Sequence, residues 1–333
     1  MQVLLTGASG FIGAHVADEL TSGGAQVRAF CRSAPPPGAR VAEWICGDVT
    51  DGPAVARAAR GCEAVIHAAA LYSYSRADAR AMEAVNVDGT RNVLEAATRG
   101  GIVRVLLTST AATCGPVRGR PATERDDPPR WELGVAYKRT KVAAERLALS
   151  AGATCVNPTT VVGTGDRRPT PSGKMIRDLV EGRIGGYMRR GGLNVVSAED
   201  VARGHALALE RARPGERYIL GGEDLWLRDV FALALKALGR SAPRLAVPWS
   251  AAYGAAVLAD AVGRLIAREP RLLVLDEVRL ARMPLFFSSA KARAELGYTS
   301  RPAADALAAA ATWFCERLAR ATTSSAASGS WAV

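Results

Sequence analysis

The amino terminus joins a short apolar segment to three evenly spaced glycines. Residues 2–6 are mainly apolar, and Gly7, Gly10 and Gly13 follow them directly. Because glycine has no Cβ, this spacing permits a tight turn, close approach of a phosphate to backbone N–H groups, and close packing of the next helix on the strand. The sequence therefore predicts a strand, a glycine-rich turn and a helix, an arrangement that binds the pyrophosphate of a dinucleotide.

Short apolar segments alternate with helical patterns as far as about residue 160. Strands that are apolar along their whole length and separated by helices indicate a parallel sheet covered on both faces. The sequence thus predicts an α/β fold led by a doubly wound parallel sheet of the Rossmann type. The predicted strands cover residues 2–6, 26–31, 41–46, 63–67, 103–109 and 154–157, and the predicted helices cover residues 11–23, 53–60, 76–99 and 135–151.

The second half of the chain has a different pattern. After Pro158 a loop-rich segment gives way to helix-like stretches, which predict a smaller, mainly helical C-terminal substrate lobe. Two short apolar segments, residues 194–197 and 217–220, either rejoin the main sheet or pair within this lobe. The predicted helices here cover residues 172–182, 199–212, 228–239, 251–268, 271–282 and 302–320.

We therefore expect two structural units and a tail. The Rossmann domain covers residues 1–165, and residues 194–222 return to it. The substrate lobe combines residues 166–193 and 223–321. Residues 322–333 are rich in Ser, Ala and Gly, so we expect them to form a flexible tail.

Composition limits the kinds of protein that this chain can be. Hydrophobic residues make up 49% and charged residues 23%, which is typical of a packed enzyme. The net charge of +11 comes from scattered arginines without a basic run, so we expect a small-molecule substrate and no nucleic-acid partner. Six cysteines without a Cys-x-x-Cys pair indicate free thiols in a reducing compartment, and three dispersed histidines indicate no metal site.

Two apolar stretches bear on membranes. Residues 2–6 are too few for a secretory segment or a membrane span, so we predict a cytoplasmic protein without an integral membrane segment. Residues 251–266 are apolar but contain Asp260 and Arg264. This favours an amphipathic core helix over a helix that lies on a membrane surface.

The residues after the second, third and fourth strands bear on the choice of cofactor. An acid at the end of the second strand accepts a hydrogen bond from the ribose 2′-OH of NAD, whereas an arginine accommodates the 2′-phosphate of NADP. Arg32 stands there without an acid, which favours NADP and leaves NAD as the alternative. Asp48 and Val49 are candidates to border the adenine, although Asp48 alternatively caps a turn. The small side chains expected beside the cofactor are Ala68, Ala69 and Ala70.

Tyr137 and Lys141 form a Tyr-x-x-x-Lys unit in a predicted helix. Residues four apart lie on one face of a helix, so the ammonium is expected beside the phenol. A nearby positive charge favours the phenolate and lowers the pKa of a tyrosine from its usual value of about 10. The pair therefore predicts proton transfer to or from a hydroxyl or carbonyl near neutral pH.

Together these residues resemble the extended short-chain dehydrogenase/reductase family, of the NAD-dependent epimerase/dehydratase type. The second half is similar to a bacterial branch labelled hopanoid-associated sugar epimerase or dihydroflavonol reductase-like, at Thr170-Pro171-Ser172-Gly173, Gly192-Leu193-Asn194-Val195-Val196 and Glu216-Arg217-Tyr218-Ile219-Leu220-Gly221-Gly222. The matching motifs are Thr6-Gly7-Ala8-Ser9-Gly10-Phe11-Ile12-Gly13, Gly47-Asp48-Val49, His67-Ala68-Ala69-Ala70, Asn86-Val87-Asp88-Gly89-Thr90, Thr108-Ser109-Thr110, Tyr137-x-x-x-Lys141 and Asn157-Pro158.

The resemblance implies roles for individual residues. Tyr137 is the expected acid/base, Lys141 binds the nicotinamide ribose, and Thr110 hydrogen-bonds the reacting oxygen. Ser109 is the neighbouring candidate, although adjacent strand residues point to opposite faces. Asn86 is expected to support the site. The expected cofactor-binding residues are Gly7, Ser9, Gly10, Phe11, Ile12, Gly13, Arg32, Asp48, Val49, Ala68, Ala69, Ala70, Tyr137, Lys141 and Pro158.

Departures from the family pattern narrow the chemistry. Dehydratases of the family have two acids after the catalytic Thr, where this chain has Ala111 and Ala112, so dehydration is not expected. Sugar-nucleotide epimerases often hold the substrate diphosphate with an arginine, and by spacing Leu193 stands there. Arg189 or Arg190 can substitute from the adjacent loop.

We therefore expect a reductase or dehydrogenase that transfers hydride between nicotinamide C4 and a secondary alcohol/ketone pair. The first alternative is an NAD-dependent sugar epimerase, and the second is a nucleotide-sensing regulator, against which the Tyr/Lys pair argues. The apolar lobe favours a hydrophobic substrate, with a sugar-containing substrate as the alternative. Dimers are common in the family, so a homodimer is one expectation.

Overall fold

A parallel sheet of seven strands forms the centre of the computed structural model, which describes residues 1–34, 39–265 and 274–328. Its strand order is β10-β6-β5-β4-β1-β2-β3. From β1 the chain adds β2 and β3 toward one edge of the sheet, and it then returns to add β4, β5, β6 and β10 toward the other edge, as in a doubly wound Rossmann sheet. The predicted fold class is thus confirmed. The seven strands are β1 (Gln2–Thr6), β2 (Gln26–Cys31), β3 (Glu43–Cys46), β4 (Ala64–His67), β5 (Arg104–Thr108), β6 (Thr154–Pro158) and β10 (Arg217–Leu220).

Helices cover both faces of this sheet because its strands are apolar on both sides. Side chains alternate along β1, so Val3 and Leu5 face one helix layer while Leu4 faces the other. The first layer contains α1 and α7, and the second contains α2 and α4. The helices of this part are α1 (Phe11–Ser22), α2 (Gly52–Ala59), α3 (Ala79–Met82), α4 (Gly89–Arg99), α5 (Ala136–Ser150) and α7 (Ala198–Arg211), and a π-helical segment (Glu83–Asp88) joins α3 to α4.

The substrate lobe packs around α6, α8 and α12. Ile176, Phe231 and Leu307 are almost completely buried in its apolar core. The other helices in the second half of the chain are α6 (Pro171–Val180), α8 (Leu227–Lys236), α9 (Trp249–Leu265), α10 (Leu275–Leu280), α11 (Ala290–Leu296) and α12 (Ala303–Ser328), and all but α11 belong to the lobe. A three-stranded sheet contains β7 (Thr160–Val162), β9 (Gly192–Ser197) and β11 (Glu223–Trp226), and a two-stranded sheet contains β8 (Gly186–Met188) and β12 (Leu245–Val247).

The two undecided apolar segments of the sequence have different fates. Residues 217–220 join the main sheet as β10, parallel to β6. Residues 194–197 belong to β9, which pairs with β7 and β11 outside the main sheet. Val195 packs into the lobe core whereas Val196 packs against the Rossmann core, because successive strand residues face opposite sides.

Several boundaries differ from the sequence expectations, among them the predicted strand 41–46, which begins at Glu43, and the predicted helix 76–99, which a π-helical segment interrupts. Helix α11, in the segment predicted for the lobe, packs against α7 and β10 and buries Ala292 and Leu296 in the Rossmann core. Val103, predicted to begin a strand, precedes β5 and is 85% exposed. Helix α12 continues to Ser328 into the predicted flexible tail, since Ser and Ala residues tolerate a helix, and residues 329–333 lie outside the described part.

Candidate active site

The residues predicted to bind the cofactor and react lie at one edge of the main sheet. All neighbouring strands of this sheet are parallel, so their carboxyl ends meet at the same edge. Open α/β sheets bind ligands at this edge, where the strand order reverses. The residues placed there are Gly7 after β1, Arg32 after β2, Asp48 after β3, Ala68, Ala69 and Ala70 after β4, Ser109 and Thr110 after β5, and Pro158 at the end of β6.

The glycine turn requires the absence of side chains. Gly7 has a φ of +74°, and a Cβ there would lie 2.6 Å from the Ala69 backbone nitrogen. A Cβ on Gly13 would lie 2.1 Å from the Gly7 carbonyl oxygen. The turn between them leaves Ser9 and Gly10 exposed. The glycines therefore hold helix α1 directly against the end of β1 and next to the end of β4.

The start of α1 fits an anionic dinucleotide. No side chain caps the helix at Gly10, and the first backbone N–H groups of a helix have no carbonyl partner one turn earlier. Here these groups belong to Phe11, Ile12 and Gly13, at the positive end of the helix dipole. The buried hydroxyl of Ser109, after β5, also has no hydrogen-bond partner in the described part. The residues present therefore fit a nicotinamide dinucleotide.

The side chain of Arg32 is exposed at the end of β2, next to the glycine turn. The backbone N–H of Ser9 donates to Cys31 Sγ at 3.3 Å, which ties the turn to this strand end. Asp48 makes the turn contact that its position allowed, because its Oδ1 accepts the N–H and hydroxyl of Thr50, each at 2.9 Å. The Val49 side chain is 6% exposed and packs in the core between sheet and helices.

Thr110 and Tyr137 meet across the site. The Thr110 side chain approaches the Tyr137 phenol closely enough to act on its pKa, and Lys141 lies one helical turn after Tyr137 on α5. The Lys141 ammonium donates to the Thr108 carbonyl oxygen at 2.9 Å, so it reaches the end of β5. The structure thus brings together the three predicted catalytic residues, as the helical spacing of the pair implied.

The pKa of Tyr137 is contrary to the sequence expectation. Burial raises it to about 12, and the Thr110 side chain acts in the opposite direction. Lys141 is also buried, which lowers its pKa to about 8, while the nearby charge of Glu145 acts in the opposite direction. Loss of water around both groups therefore outweighs the expected effect of the ammonium on the phenol.

Two further tyrosines cover Tyr137. The ring of Tyr72 stacks on that of Tyr137 with 3.9 Å between their centroids and 20° between their planes. The Tyr74 ring meets Tyr137 edge-on at 6.3 Å, and the two covering phenols are hydrogen-bonded at 2.8 Å. Since Tyr72 is 40% exposed, it closes the site toward solvent.

Asn86 fastens the loop that carries these tyrosines. Its side-chain oxygen accepts the Leu71 N–H at 2.8 Å, and its side-chain nitrogen donates to the Leu71 carbonyl at 3.0 Å. The same nitrogen donates to the Thr140 hydroxyl on α5 at 3.1 Å. Asn86 lies in the π-helical segment and is 2% exposed. It therefore connects the covering loop to the catalytic helix.

The buried carboxylate of Glu145 was not anticipated from the sequence. It lies four residues after Lys141 on α5 and pairs with Arg217 of β10 at 2.8 Å. Its other oxygen accepts the Thr113 hydroxyl at 2.8 Å and the Asn157 side-chain N–H at 2.5 Å. The Asn157 nitrogen also donates to the Thr110 carbonyl at 3.1 Å. The sequence signal for this residue is its spacing, because Glu145 lies one helical turn after Lys141 on the same face of α5.

His67 belongs to a hydrogen-bonded chain behind the cofactor edge. The Ala69 N–H donates to Thr6 Oγ1 at 3.2 Å, and that hydroxyl donates to His67 Nδ1 at 2.7 Å. His67 Nε2 donates to Thr90 Oγ1 at 3.2 Å, and this hydroxyl donates to the Asn86 carbonyl at 2.6 Å. The chain requires a neutral imidazole. Burial lowers the pKa of His67 to about 3, and the charge of Lys141 acts in the same direction.

A cavity of about 250 Å³ adjoins the covering tyrosines. Its wall includes the start of α5, so it lies beside the catalytic helix rather than at the glycine turn. Three guanidinium groups line it, of which those of Arg76 and Arg279 bond Asp260 and Asp276 at 3.3 and 3.4 Å. The lining residues are Ser73, Tyr74, Ser75, Arg76, Ala79, Met82, Gly134, Val135, Ala136, Arg139, Asp276 and Arg279.

Comparison with known proteins identifies the family. Residues 3–221 match the model of the NAD dependent epimerase/dehydratase family, which is more than half of the chain. The chain belongs to this family. It is an enzyme whose relatives include reductases and dehydrogenases, and the expected resemblance is confirmed.

Individual relatives extend the match over nearly the whole chain. A putative dihydroflavonol 4-reductase of Synechocystis sp. is 35% identical over 324 residues, 93% of each chain. Sterol demethylase protein B of Methylococcus capsulatus is 32% identical over 327 residues, 95% of this chain and 99% of that protein. The crystal structure of gox2253 has a TM-score of 0.82 and 37% identity, covering 95% of this chain and 98% of that chain.

In the described part of the chain, no group of three His, Cys, Asp or Glu side chains is arranged to hold a metal ion. Among the same residues, no helix combines the length and the apolar character needed to cross a membrane.

Glu145→Ala should lower the free energy of unfolding by about 2–4 kcal/mol, because it deprives the partly buried Arg217 of its close carboxylate and removes the acceptor of Thr113 and Asn157. Replacing both residues, as Glu145→Leu with Arg217→Met, should cost less than the single change. Urea unfolding measures both values. A single variant as stable as the wild type would contradict the inferred importance of this ion pair.

His67 should make stability fall in acid. The unfolded chain protonates this histidine below about pH 6.5, whereas the folded chain does so only near pH 3. Between these values the unfolded state binds more protons, so stability decreases as the pH falls. The stability advantage of the wild type over His67→Gln should therefore shrink by about 2–3 kcal/mol between pH 7 and pH 4.5.

Urea unfolding at both pH values measures this change. Asn92→Ala is the control, since it removes the hydrogen bond to the Val49 carbonyl without removing a titrating group. Its effect on stability should be the same at both pH values. An advantage of wild type over His67→Gln that is independent of pH would show that His67 is not held neutral.

Proposed function

We propose that the protein is an NAD(P)H-dependent reductase that interconverts a ketone and a secondary alcohol, with Tyr137 as the acid/base. The observation that carries this proposal is the close approach of Thr110 to Tyr137, together with the two alanines that follow Thr110 in the chain. Two hydroxyl groups directed at the same position can both form hydrogen bonds with the oxygen of a carbonyl or alcohol substrate. Ala111 and Ala112 offer no second acid/base there, which disfavours dehydration.

The protonation state of Tyr137 supports reduction. A phenol with a pKa of about 12 keeps its proton at neutral pH, so it can donate that proton to the oxygen of a ketone as the carbon is reduced. When bound, the nicotinamide supplies the hydride. Thr110 holds the same oxygen, and Lys141 lies where it can hold a hydroxyl group of the cofactor's ribose.

The site residues favour NADPH, with NADH as the alternative. Arg32 is exposed next to the glycine turn, in the position that receives the ribose 2′-phosphate. No acid competes for a 2′-OH at the end of β2. The glycine turn, the alanines after β4 and Pro158 complete the proposed cofactor site.

We further propose a substrate that is largely apolar. Two relatives bear names that refer to polycyclic compounds, a dihydroflavonol reductase and a sterol demethylase protein. The proposed entrance carries the aromatic side chains of Tyr72 and Tyr74, which suit a flat apolar molecule.

The second candidate function is a sugar epimerase, and one observation favours it. The cavity beside Tyr74 is lined by Arg76, Arg139 and Arg279, which suits an anionic substrate. Two of these guanidiniums are paired with aspartates, however, and Leu193 packs into the lobe core where epimerases often have an arginine. Isomerisation of a nucleotide sugar without net oxidation of NADPH would decide for the epimerase.

Tyr137→Phe should lower kcat for ketone reduction by about 10²–10⁴-fold, because it removes the donated proton. NADPH oxidation with a panel of cyclic ketones measures this loss, and NADPH fluorescence checks that the cofactor still binds. Tyr74→Phe is the control, because it also removes one phenol oxygen from this aromatic cluster, but not the one that Thr110 approaches. Undiminished turnover in Tyr137→Phe would refute the assigned mechanism.

Arg32→Gln should raise KM for NADPH by about tenfold or more and leave KM for NADH nearly unchanged, since a charged hydrogen bond to the 2′-phosphate is lost. Steady-state kinetics with both cofactors test this. Arg99→Gln, an exposed arginine at the end of α4, should change neither value. Equal effects of Arg32→Gln on both cofactors would exclude the proposed contact.

A further inference from the structure

The outward face of α9 is apolar. Among its larger side chains Val257, Leu258 and Val262 are 43%, 67% and 46% exposed. Between residues 249 and 263, where the exposure of the side chains is described, the other exposed residues are small and uncharged. They are Ser250, Ala251, Gly254, Ala255 and Ala261. At 100° per residue these exposed positions form one continuous side of the helix.

The inward face of α9 packs against α10, with Trp249 and Tyr253 partly buried in the contact. Ala252 and Ala256 are buried against Leu275 and Val278 of α10. Asp260, the one charged residue in the sequence between 249 and 263, bonds Arg76 at 3.3 Å and lies away from the exposed side. The expected core helix thus packs on one side only. A surface helix normally turns charged or polar residues toward solvent. A contiguous exposed apolar surface, as on α9, marks an interaction site.

The exposed charged residues close to α9 in the sequence, and on the helix α10 that packs against it, have one sign. Throughout the described residues 240–263 and 274–284, every exposed charged side chain is an arginine, whereas the acids are half-buried. Leu245, 64% exposed, follows one of these arginines directly, and the guanidinium of Arg282 lies 5.4 Å over the Trp249 ring at the start of α9. The exposed arginines are Arg240, Arg244, Arg279 and Arg282.

We propose that α9 docks the protein on an anionic lipid surface, lying in the plane of the interface. The apolar face of the helix can enter the boundary of the acyl chains, and the basic side chains beside it can bind the phosphates of the headgroups. A second copy of the chain fits less well. A two-fold contact through this face would bring the exposed arginines near their own symmetry mates, and like charges oppose association.

The docking face adjoins the proposed substrate entrance. The bond between Asp260 and Arg76 joins α9 to the loop that carries Tyr72 and Tyr74. Docking would therefore place this loop near the membrane, from which an apolar substrate can enter. The docking itself does not depend on the proposed reaction.

Vesicle flotation of the purified full-length chain tests the proposal. Binding to phosphatidylcholine vesicles that contain phosphatidylglycerol should be at least about tenfold tighter than to phosphatidylcholine alone, and salt should weaken it. Leu258→Glu combined with Val262→Glu should reduce binding by at least about tenfold. Val103→Glu is the matched control, since this valine is 85% exposed in the loop before β5, and it should bind as the wild type does.

A second pair of changes tests the charge contribution. Arg244→Gln with Arg282→Gln should abolish the preference for anionic vesicles. Wild type that fails to float with anionic vesicles, or a double-Glu variant that floats like wild type, would overturn the proposal. A dimer in light scattering that the double-Glu variant dissociates, without vesicle binding, would assign the face to a second copy. Reduction of a water-soluble ketone should be unchanged in all variants, which separates this test from that of the reaction.

Discussion

The arrangement of the site depends on the buried carboxylate of Glu145. It joins three elements that are distant in sequence, since it accepts hydrogen bonds from Arg217 on β10, Thr113 after β5 and Asn157 on β6. Asn157 in turn holds the carbonyl of Thr110. The position of Thr110 opposite the catalytic helix is therefore set by a carboxylate two helical turns away from Tyr137. The glycine turn positions the cofactor edge, but this network positions the reacting groups.

Burial of a carboxylate costs free energy unless the charge is paired, and this explains why Glu145 is surrounded by hydrogen-bond donors. Removing an ion pair from water costs several kcal/mol per ion. This cost is recovered only when the two charges are well paired and their remaining lone pairs and N–H protons are hydrogen-bonded. Glu145 has three donors, and Arg217 also donates to the carbonyls of Glu124 and Asp126 at 2.8 and 2.9 Å. The contribution of the pair is therefore mainly to position. It fixes one orientation of α5 relative to the sheet.

The sequence predicted what depends on neighbours along the chain and missed what depends on distant contacts. The parallel sheet, the glycine turn and the Tyr137/Lys141 pair all follow from local periodicity, and their positions agree with it. The pairing of Glu145 with Arg217 joins residues 72 apart, so no local pattern reports it. The same reason applies to α11, whose small apolar residues suit either domain core until β10 is in place. Asp48 shows that the position of a residue in a motif does not settle its role. The sequence left open whether it borders the adenine or caps a turn, and its side chain makes the turn contact with Thr50.

The pKa of Tyr137 shows how burial changes the meaning of a motif. A lysine four residues away lowers the pKa of a phenol when its charge outweighs the loss of water, but here both groups are buried. Burial then raises the pKa of the acid and lowers that of the base, so each group tends toward its neutral form. Tyr72 contributes directly, because its ring covers that of Tyr137 at 3.9 Å and keeps solvent away. A covered tyrosine of this kind keeps its proton at neutral pH, although its raised pKa makes it a weaker acid than a free phenol. The covering ring therefore holds the proton on Tyr137 until hydride transfer turns the carbonyl oxygen into an alkoxide, which is basic enough to take a proton from a phenol of this pKa.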